Sequence, residues 1–329
     1  MALKIINPGL FTTVQDLGRY GYESYGFTPA GVMDYESFYL ANALLNNEQS
    51  CAVLEMTLNG VTFEVTNRTS MATAGAKMSL TVNDQPYDIG TCIDLIKGDI
   101  VKFGGVTEGT RTYAAFSGGF NIEPELGSFA THTRSKMGGY KGRVLQSGDV
   151  LPIAGKTVNH NSAEAVKTLD LSAEIRFIPG QQYDHFDAKN INTFTSNEYT
   201  MTKDSDRMGA RLSGPVLEAF ETEDILSEPT QFGSIQVPKN GQPIVLLADR
   251  QTAGGYKKIG TVAKVDLPKF AQKKPGDKIV FKEISAEDAA ALYKESIASL
   301  TDGTYIETSV KFNNVRRHDA LTTAKLIGG

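Results

Sequence analysis

The sequence predicts a mainly β protein with two β domains in tandem and few short helices. Most of its 329 residues fall into short apolar runs of the β type, which turn residues interrupt about every ten positions. Only two segments have the residue spacing of a helix. A Gly-Asp turn followed by a strand recurs along the chain and closes two β-rich regions, which favours two copies of one arrangement.

The composition is that of an ordinary soluble globular protein, with 40% hydrophobic and 22% charged residues. At ~150 residues per domain, the length predicts roughly two domains, each with its own core. The formal net charge of −5 argues against nucleic acid or an anionic membrane surface as a partner. No apolar run approaches the ~18 residues of a membrane span, and the N-terminus lacks the apolar stretch of a signal peptide, so we expect a cytoplasmic protein.

Two helices are predicted. Residues 34–47 begin with Asp34 as the N-cap, continue with apolar residues at helical spacing and end at two asparagines. Residues 285–300 begin with a serine cap that two acidic first-turn residues follow.

Strands are predicted through most of the remaining sequence, and turn pairs such as Asn83-Asp84 and Asn240-Gly241 separate them. The clearest predicted strands are residues 61–65, 79–82, 100–103, 112–116, 175–178 and 259–265. This pattern is typical of an antiparallel barrel or sandwich.

The domain boundaries follow from the repeated Gly-Asp turn. Segments 95–105, 145–155 and 273–283 all contain it, although Gly-Asp is also simply a good turn before a strand. Between the second and third copies, a polar stretch has the composition of a linker. We therefore predict an N-terminal β domain at 1–155, a linker at 156–172, a C-terminal β domain at 173–284, and a helix with a tail at 285–329.

Several common kinds of site are absent from the sequence. It contains no GxxxxGK[ST] phosphate loop, no HExxH and no Cys/His cluster with zinc spacing, and its four histidines are scattered. We therefore expect no metal site, and a self-contained hydrolase or P-loop ATPase is disfavoured. Lys77 lacks the preceding methionine of the biotin-attachment sequence Ala-Met-Lys-Met, so biotin is not expected on this chain.

A dense polar cluster lies within residues 233–281, around tight Gly/Pro turns and next to the apolar run 244–248. Polar residues at the end of a buried strand, followed by Gly254-Gly255, can approach a ligand closely. A site is predicted here, held by rigid strands. The cluster consists of Gln236, Asp249, Arg250, Gln251, Thr252 and Tyr256.

Two further loops, residues 15–21 and 205–214, each place Asp and Arg within three residues. Arg207 and Arg211 are spaced to share one face of a helix or strand. The planar guanidinium of arginine suits a carboxylate or phosphate. The alternative is that each Asp-Arg pair only fixes a turn, and the residues alone do not decide between the two.

These segments give the chain a resemblance to the family of the 5-oxoprolinase C subunit, also called the KipI-antagonist or biotin-dependent carboxyltransferase-like family. That family is related to the second half of the carboxyltransferase domain of urea carboxylase. The resemblance extends from Leu10 to about Leu300. It is carried by residues 9–21, 30–34, 54–60, 109–120, 126–133, 138–151, 205–215 and 233–281.

The resemblance implies two tandem cyclophilin-like β-barrel domains. It also implies a KipI-like B subunit and a LamB/YcsF-type A subunit as partners, which together with this chain would open 5-oxoproline, a small amide, to L-glutamate with ATP hydrolysis. Because the chain has no nucleotide-binding loop, ATP is expected to be shared with or bound by the partner subunits.

With this resemblance, the candidate residues receive roles. Catalytic roles are expected for Asp249, Gln251, Thr252 and Tyr256. Substrate-binding roles are expected for Arg207, Arg211, Gln236 and Arg250, and for a second polar surface made by Asp16, Arg19 and Arg143.

Two other functions remain open at this point. The chain could be a KipI antagonist, a binding protein that relieves the inhibition of a sporulation-type histidine kinase. It could also be a carboxyltransferase half-domain that moves CO2 from a biotin on another chain to an amide or urea-type acceptor.

Overall fold

A computed structural model describes residues 1–155, 163–165, 167–219 and 225–308 of the chain. The predicted mainly β fold with few short helices is confirmed. The N-terminal half contains nine strands in one sheet. These are β1 (Ala2–Asn7), β2 (Phe11–Gln15), β3 (Val53–Thr57), β4 (Thr62–Val65), β5 (Thr69–Val82), β6 (Gln85–Tyr87), β7 (Cys92–Leu95), β8 (Ile100–Phe116) and β9 (Val150–Pro152).

The N-terminal sheet is a half-barrel with the order β2-β3-β8-β4-β1-β9, and β5 pairs with β6, β7 and β8. The predicted strands 100–103 and 112–116 are the two ends of the 17-residue strand β8. This strand is long enough to pair with β3 and β4 along one edge and with β5 along the other. Apolar side chains fill the core inside the sheet, among them Phe63, Phe103 and Phe116.

The strands that follow belong mostly to a second, closed barrel. They are β10 (Ala163–Ala165), β11 (Glu174–Pro179), β12 (Glu198–Met201), β13 (Gly209–Ser213), β14 (Glu228–Pro229), β15 (Ser234–Val237), β16 (Ile244–Leu246), β17 (Ala253–Gly254), β18 (Lys257–Val262), β19 (Lys278–Glu283) and β20 (Ile306–Thr308).

The barrel order is β11-β18-β15-β16-β13-β12-β19, and a parallel pairing of β11 with β19 closes it. Closure leaves no free sheet edge. Aromatic rings fill the interior, and Phe194 stacks on Phe281 at 4.5 Å between centroids. Strands β14 and β17 lie outside the barrel and pair only with each other.

The described residues contain four α-helices and three short 3-10 helices. Helix α1 (Tyr35–Ala43) and helix α4 (Ala286–Thr301) confirm the two predictions, because Asp34 and Ser285 accept hydrogen bonds from the main chain of the first turns. The remaining helices are α2 (Ala188–Ser196), α3 (Leu267–Ala271), and the 3-10 turns Glu23–Tyr25, Tyr183–His185 and Lys264–Asp266.

Helices α2 and α3 were not predicted from the sequence. Helix α2 is rich in Asn and Thr, which are poor helix formers, and it depends on Asp187 as a cap and on Phe194 packing into the barrel. Helix α3 has only five residues, too few for a periodic signal. Both are stabilised by tertiary contacts that local spacing does not contain.

Part of the predicted linker takes part in a sheet. Strand β10, inside 156–172, pairs with β20 near the end of the described chain. Residues 156–162 and 166 of the predicted linker, and 309–329 of the predicted tail, lie outside the described residues. Among the helices of the described segments, none is long and apolar enough to cross a membrane.

The two halves are joined through Gln272, directly after α3. Its side chain is buried, with Oε1 accepting from the backbone N–H of Thr110 and Arg111, both at 2.9 Å. Its Nε2 donates to Asp34 Oδ2 at 2.8 Å. One side-chain amide of the C-terminal half therefore forms hydrogen bonds with a strand and with a helix cap of the N-terminal half.

Candidate functional site

The residues selected from the sequence fall into three places. Some form a buried ion cluster between the two halves, some line an open pocket on the C-terminal barrel, and some fix loops of the N-terminal half. Each place has a different chemistry.

The first place is the interdomain ion cluster, which consists of Glu55, Arg207 and Asp249. Arg207 donates from Nε and Nη2 to the two carboxylate oxygens of Asp249, at 3.0 and 2.8 Å. Its Nη1 donates to Glu55, on strand β3 of the other half, and Nη2 also donates to the carbonyl oxygen of Gly31 at 2.6 Å. The guanidinium therefore joins the two halves through charge-assisted hydrogen bonds.

Every member of this cluster is buried and bonded. Burial by itself lowers the pKa of Arg207, but Asp249 and Glu55 outweigh it and hold that pKa above its ordinary value. The second oxygen of Glu55 accepts from Met33 N and Tyr113 Oη, both at 2.8 Å. The predicted binding role of Arg207 and catalytic role of Asp249 thus concern side chains whose polar atoms already bind one another.

Glu55 was missed by the sequence reasoning. A signal was available, because a glutamate in the middle of the apolar strand Val53–Thr57 must find a cationic or hydrogen-bonding partner when the strand is buried. The sequence alone did not indicate that the partner lies 152 positions away.

The second place, the barrel pocket, is an open cavity of about 460 Å³ on the outside of the C-terminal barrel. It brings together four of the predicted site residues, Arg211, Gln236, Gln251 and Tyr256. Residues that the sequence reasoning did not select complete its lining, among them Arg134, Thr230, Ile244, Leu246 and Gly254.

Gln236 lies at the floor of the barrel pocket. Its neighbours Ile235 and Val237 on β15 belong to the barrel core, so the alternation of the strand turns Gln236 to the outer face. It is nevertheless only 5% exposed, and Gly254 of β17 lies against its amide. Among the described residues, Gln236 Nε2 has no hydrogen-bond partner.

Charged groups lie at the mouth of the barrel pocket. Arg134 reaches it from the N-terminal half and makes a 3.3 Å ion pair with Asp206. The other oxygen of Asp206 accepts from the backbone N–H of Met208 at 2.8 Å. Arg211 is exposed, and Tyr256 is 42% exposed. Asp204 also lines the pocket. An amide at the floor and the guanidinium of Arg211 at the mouth suit a small ligand with a carbonyl and an acidic group.

Two predicted residues lie beside the barrel pocket rather than in it. Arg250 is buried, its carbonyl oxygen accepts from Thr28 Oγ1 at 2.9 Å, and burial lowers its pKa. Thr252 accepts from the backbone N–H of Thr230 through its own carbonyl oxygen, at 3.0 Å. The structure therefore brings Gln251 into the pocket but neither of these two neighbours.

In the third place, Asp16 and Arg19 hold loops of the N-terminal half. Asp16 accepts from Gly18 N at 2.8 Å, Ser128 Oγ at 2.7 Å and Phe129 N at 2.6 Å. Arg19 is 1% exposed, and desolvation by burial lowers its pKa.

Arg143 makes a bidentate pair with Asp149, at 2.8 and 2.7 Å, and its hydrogen bonds lower the pKa of that aspartate. Asp149 also accepts from Gln146 N at 2.7 Å. The Arg143–Asp149 pair therefore fixes the turn at residues 146–149.

A smaller cavity of about 230 Å³ lies between the two halves, beside helix α1. Its charged lining is paired internally, with Lys167 2.6 Å from Glu36 and Lys269 3.1 Å from Asp170. No group of three or more His, Cys, Asp or Glu in the described part of the chain is placed to hold a metal ion. The barrel pocket is therefore the better candidate site.

Comparison with known proteins agrees with the motifs. A family model described as carboxyltransferase domain, subdomain A and B, matches residues 25–283. The C subunit of 5-oxoprolinase from Escherichia coli is 35% identical over 287 residues, which are 87% of this chain and 93% of that protein. The protein of the same name from Haemophilus influenzae is 35% identical over 284 residues, 86% of this chain and 92% of that one.

A solved structure shares the fold. The urea carboxylase of Kluyveromyces lactis superposes with a TM-score of 0.87 at 29% identity, covering 95% of this chain and 30% of that protein. The chain thus spans less than a third of the urea carboxylase but nearly the whole of the two 5-oxoprolinase relatives. By these matches, which confirm the resemblance seen in the motifs, the chain belongs to the carboxyltransferase domain A and B family and is a homologue of the 5-oxoprolinase C subunit.

Proposed function

We propose that this chain is the C subunit of an ATP-dependent 5-oxoprolinase, which opens the lactam of 5-oxoproline to give L-glutamate. The observation that carries the proposal is the end-to-end match with proteins named as the C subunit of 5-oxoprolinase, over 93% of the length of the Escherichia coli protein. That match covers most of both sequences, whereas the urea carboxylase match relates this chain to one part of a larger enzyme.

The barrel pocket supports the proposal by its size and polarity. At about 460 Å³ it is large enough for a five-membered lactam with one carboxylate. In the proposed pose, Arg211 at the mouth binds the carboxylate, and the apolar side chains of Ile244 and Leu246 contact the ring carbons. Gln251 and Tyr256 then lie close enough to the ring to donate or accept hydrogen bonds during its opening.

The reaction needs ATP because a lactam is a resonance-stabilised amide. Transfer of the γ-phosphoryl group of ATP to the lactam oxygen, addition of water to the carbonyl carbon and cleavage of its C–N bond give ADP and γ-glutamyl phosphate. A second water then hydrolyses this acyl phosphate to glutamate and phosphate. Hydrogen-bond donors aimed at the developing charge lower the barrier of such steps. This chain would supply the acceptor site, and the KipI-like and LamB/YcsF-type partners would bind ATP and cover the open pocket.

The test is reconstitution. The chain is mixed with its two candidate partners, ATP and 5-oxoproline, and glutamate is followed with and without each component. We expect glutamate only when all components are present. Full activity without this chain would overturn the proposal. If the mixture released no glutamate, and the chain instead restored a histidine kinase that the KipI-like partner inhibits, the KipI-antagonist alternative would be favoured.

A second function is favoured by the fold, because the urea carboxylase of Kluyveromyces lactis superposes over 95% of this chain. The chain would then be half of a carboxyltransferase that accepts CO2 from biotin on another protein. That function requires a biotinylated partner, which streptavidin blotting of the purified complex would detect. Glutamate release by a complex free of biotin would exclude it.

A further inference from the structure

We propose that Gln236 and Gly254 form the part of the barrel pocket that recognises a neutral amide. Gln236 Nε2 donates a hydrogen bond to the carbonyl oxygen of a lactam, and the missing side chain at Gly254 leaves the space in which that amide group is held. The inference deepens the proposed function and rests on it for the assignment of this pocket to the substrate.

The first argument is the unpaired donor. Gln236 is 5% exposed and its Nε2 has no hydrogen-bond partner among the described residues. A buried donor without an acceptor destabilises a folded chain, and for that reason nearly all such groups are paired. Gln236 lines a cavity of about 460 Å³, and although Nε2 itself is closed off from solvent, rotation of the side-chain amide would present it to an acceptor on a bound molecule.

The second argument is the glycine. A Cβ atom at position 254 would lie 2.5 Å from Gln236 Nε2 and 3.4 Å from Thr230 Cγ2. The backbone of Gly254 is outside the left-handed region, so its conformation alone does not require glycine. The requirement is for space, and the group that needs the space is the amide of Gln236.

The third argument is the distribution of charge. The floor of the pocket presents an uncharged amide beside the apolar side chains of Ile244 and Leu246. The charges of the lining come from Arg134, which is paired with Asp206, and from Asp204 and Arg211. If the carboxylate of the ligand bound at the floor, it would lose water and the arginine at the mouth and would gain only the neutral amide of Gln236. A lactam therefore binds with its carbonyl oxygen towards Gln236 and its acidic group towards Arg211.

The test is the binding of three small probes to the chain in complex with its partners, followed by ligand-observed NMR. 5-oxoproline carries both groups, 2-pyrrolidone carries only the lactam, and cyclopentanecarboxylate carries only the acid. We expect Gln236→Leu to weaken the two lactams about tenfold and to leave cyclopentanecarboxylate unchanged. Arg211→Met is expected to weaken the two acids and to leave 2-pyrrolidone unchanged.

Gly254→Ala tests the proposal without replacing any hydrogen-bonding group. We expect it to weaken lactam binding as much as Gln236→Leu does, and the double variant to lose no more than either alone, since both changes remove the same hydrogen bond. Gly105→Ala is the matched control, because its Cβ would have no atom within 4 Å. Equal losses for all three probes would overturn the inference, as would unchanged lactam binding in Gly254→Ala with an unchanged unfolding midpoint.

The outcomes separate this inference from the proposed function. Lactam-selective binding in a complex that releases no glutamate would leave the inference standing and overturn the function. Glutamate release with an unchanged KM in both Gln236→Leu and Gly254→Ala would overturn the inference and leave the proposed function standing.

Discussion

The interdomain ion cluster and the barrel pocket are built from the same kinds of residue, yet they differ in how their polar atoms are used. In the ion cluster, both oxygens of Asp249 and the guanidinium of Arg207 bind one another, and Glu55 completes the set. In the barrel pocket, the floor amide of Gln236 has no partner among the described residues. The first arrangement holds two halves together, and the second leaves binding capacity for another molecule.

The largest effect is expected for Asp249→Ala, which removes one side of the ion cluster. The change leaves the charge of Arg207 buried and only partly compensated, and loss of one partner of a buried pair costs about 3–5 kcal/mol. We expect a lower free energy of unfolding in urea, with loss of activity following from it. A catalytic role, which the sequence predicts for Asp249, would give the opposite result, an inactive protein of unchanged stability.

The next effect concerns pH and Asp34, the cap of helix α1. Burial, and then the charge of Glu36, raise the pKa of Asp34 from 3.8 to about 6. Because the pKa of Asp34 is higher in the folded chain, its protonated carboxyl favours the folded state. This contribution to the free energy of unfolding is complete below pH 3.8 and is lost as the pH rises through 6. We expect the stability of the wild type relative to Asp34→Asn to fall by about 3 kcal/mol between about pH 3.5 and 7.

Asparagine is a suitable replacement for this experiment, since it also caps helices and can accept from Ser37 N. Urea unfolding of both proteins at a series of pH values measures the difference. A difference that stays constant across that range would show that Asp34 ionises as it does in the unfolded chain.

A smaller effect, on activity alone, is expected in the barrel pocket. Tyr256→Phe removes a hydroxyl from a 42% exposed side chain at the mouth, so the fold should not respond. We expect kcat/KM of the reconstituted complex to fall about tenfold, equivalent to ~1.4 kcal/mol. Tyr25→Phe makes the same change on a 78% exposed side chain outside the pocket and should leave kcat/KM unaltered. A matching loss in both variants would mean that the hydroxyl at 256 has no special role.

Much of the fold could be predicted from the sequence because its signals are local. Alternating strands, the caps Asp34 and Ser285, and the resemblance in ordered motifs all lie within short segments. Helix α2 and the pairing of β10 with β20 could not be predicted, because both depend on contacts with residues distant in sequence.

The site was predicted less well, for the same reason. The sequence placed Gln236, Asp249 and Gln251 in one polar cluster. Whether a polar side chain is bonded internally depends on distant partners, such as Glu55 for Arg207. Arg134 reaches the barrel pocket from the other half of the chain and had no local signal.

The smallest effect should come from an ion pair that is short but exposed. Lys77 Nζ lies 2.6 Å from Glu108, closer than Arg207 Nη2 lies to Asp249, yet the Lys77 side chain is 67% exposed. Water solvates both charges when the pair separates, and ordering two long side chains costs entropy, so such pairs contribute at most about 1 kcal/mol. We expect Lys77→Met to shift the free energy of urea unfolding by less than that, and salt to reduce even this difference. A loss as large as that of Asp249→Ala would mean that distance, rather than burial, sets the strength of ion pairs in this protein.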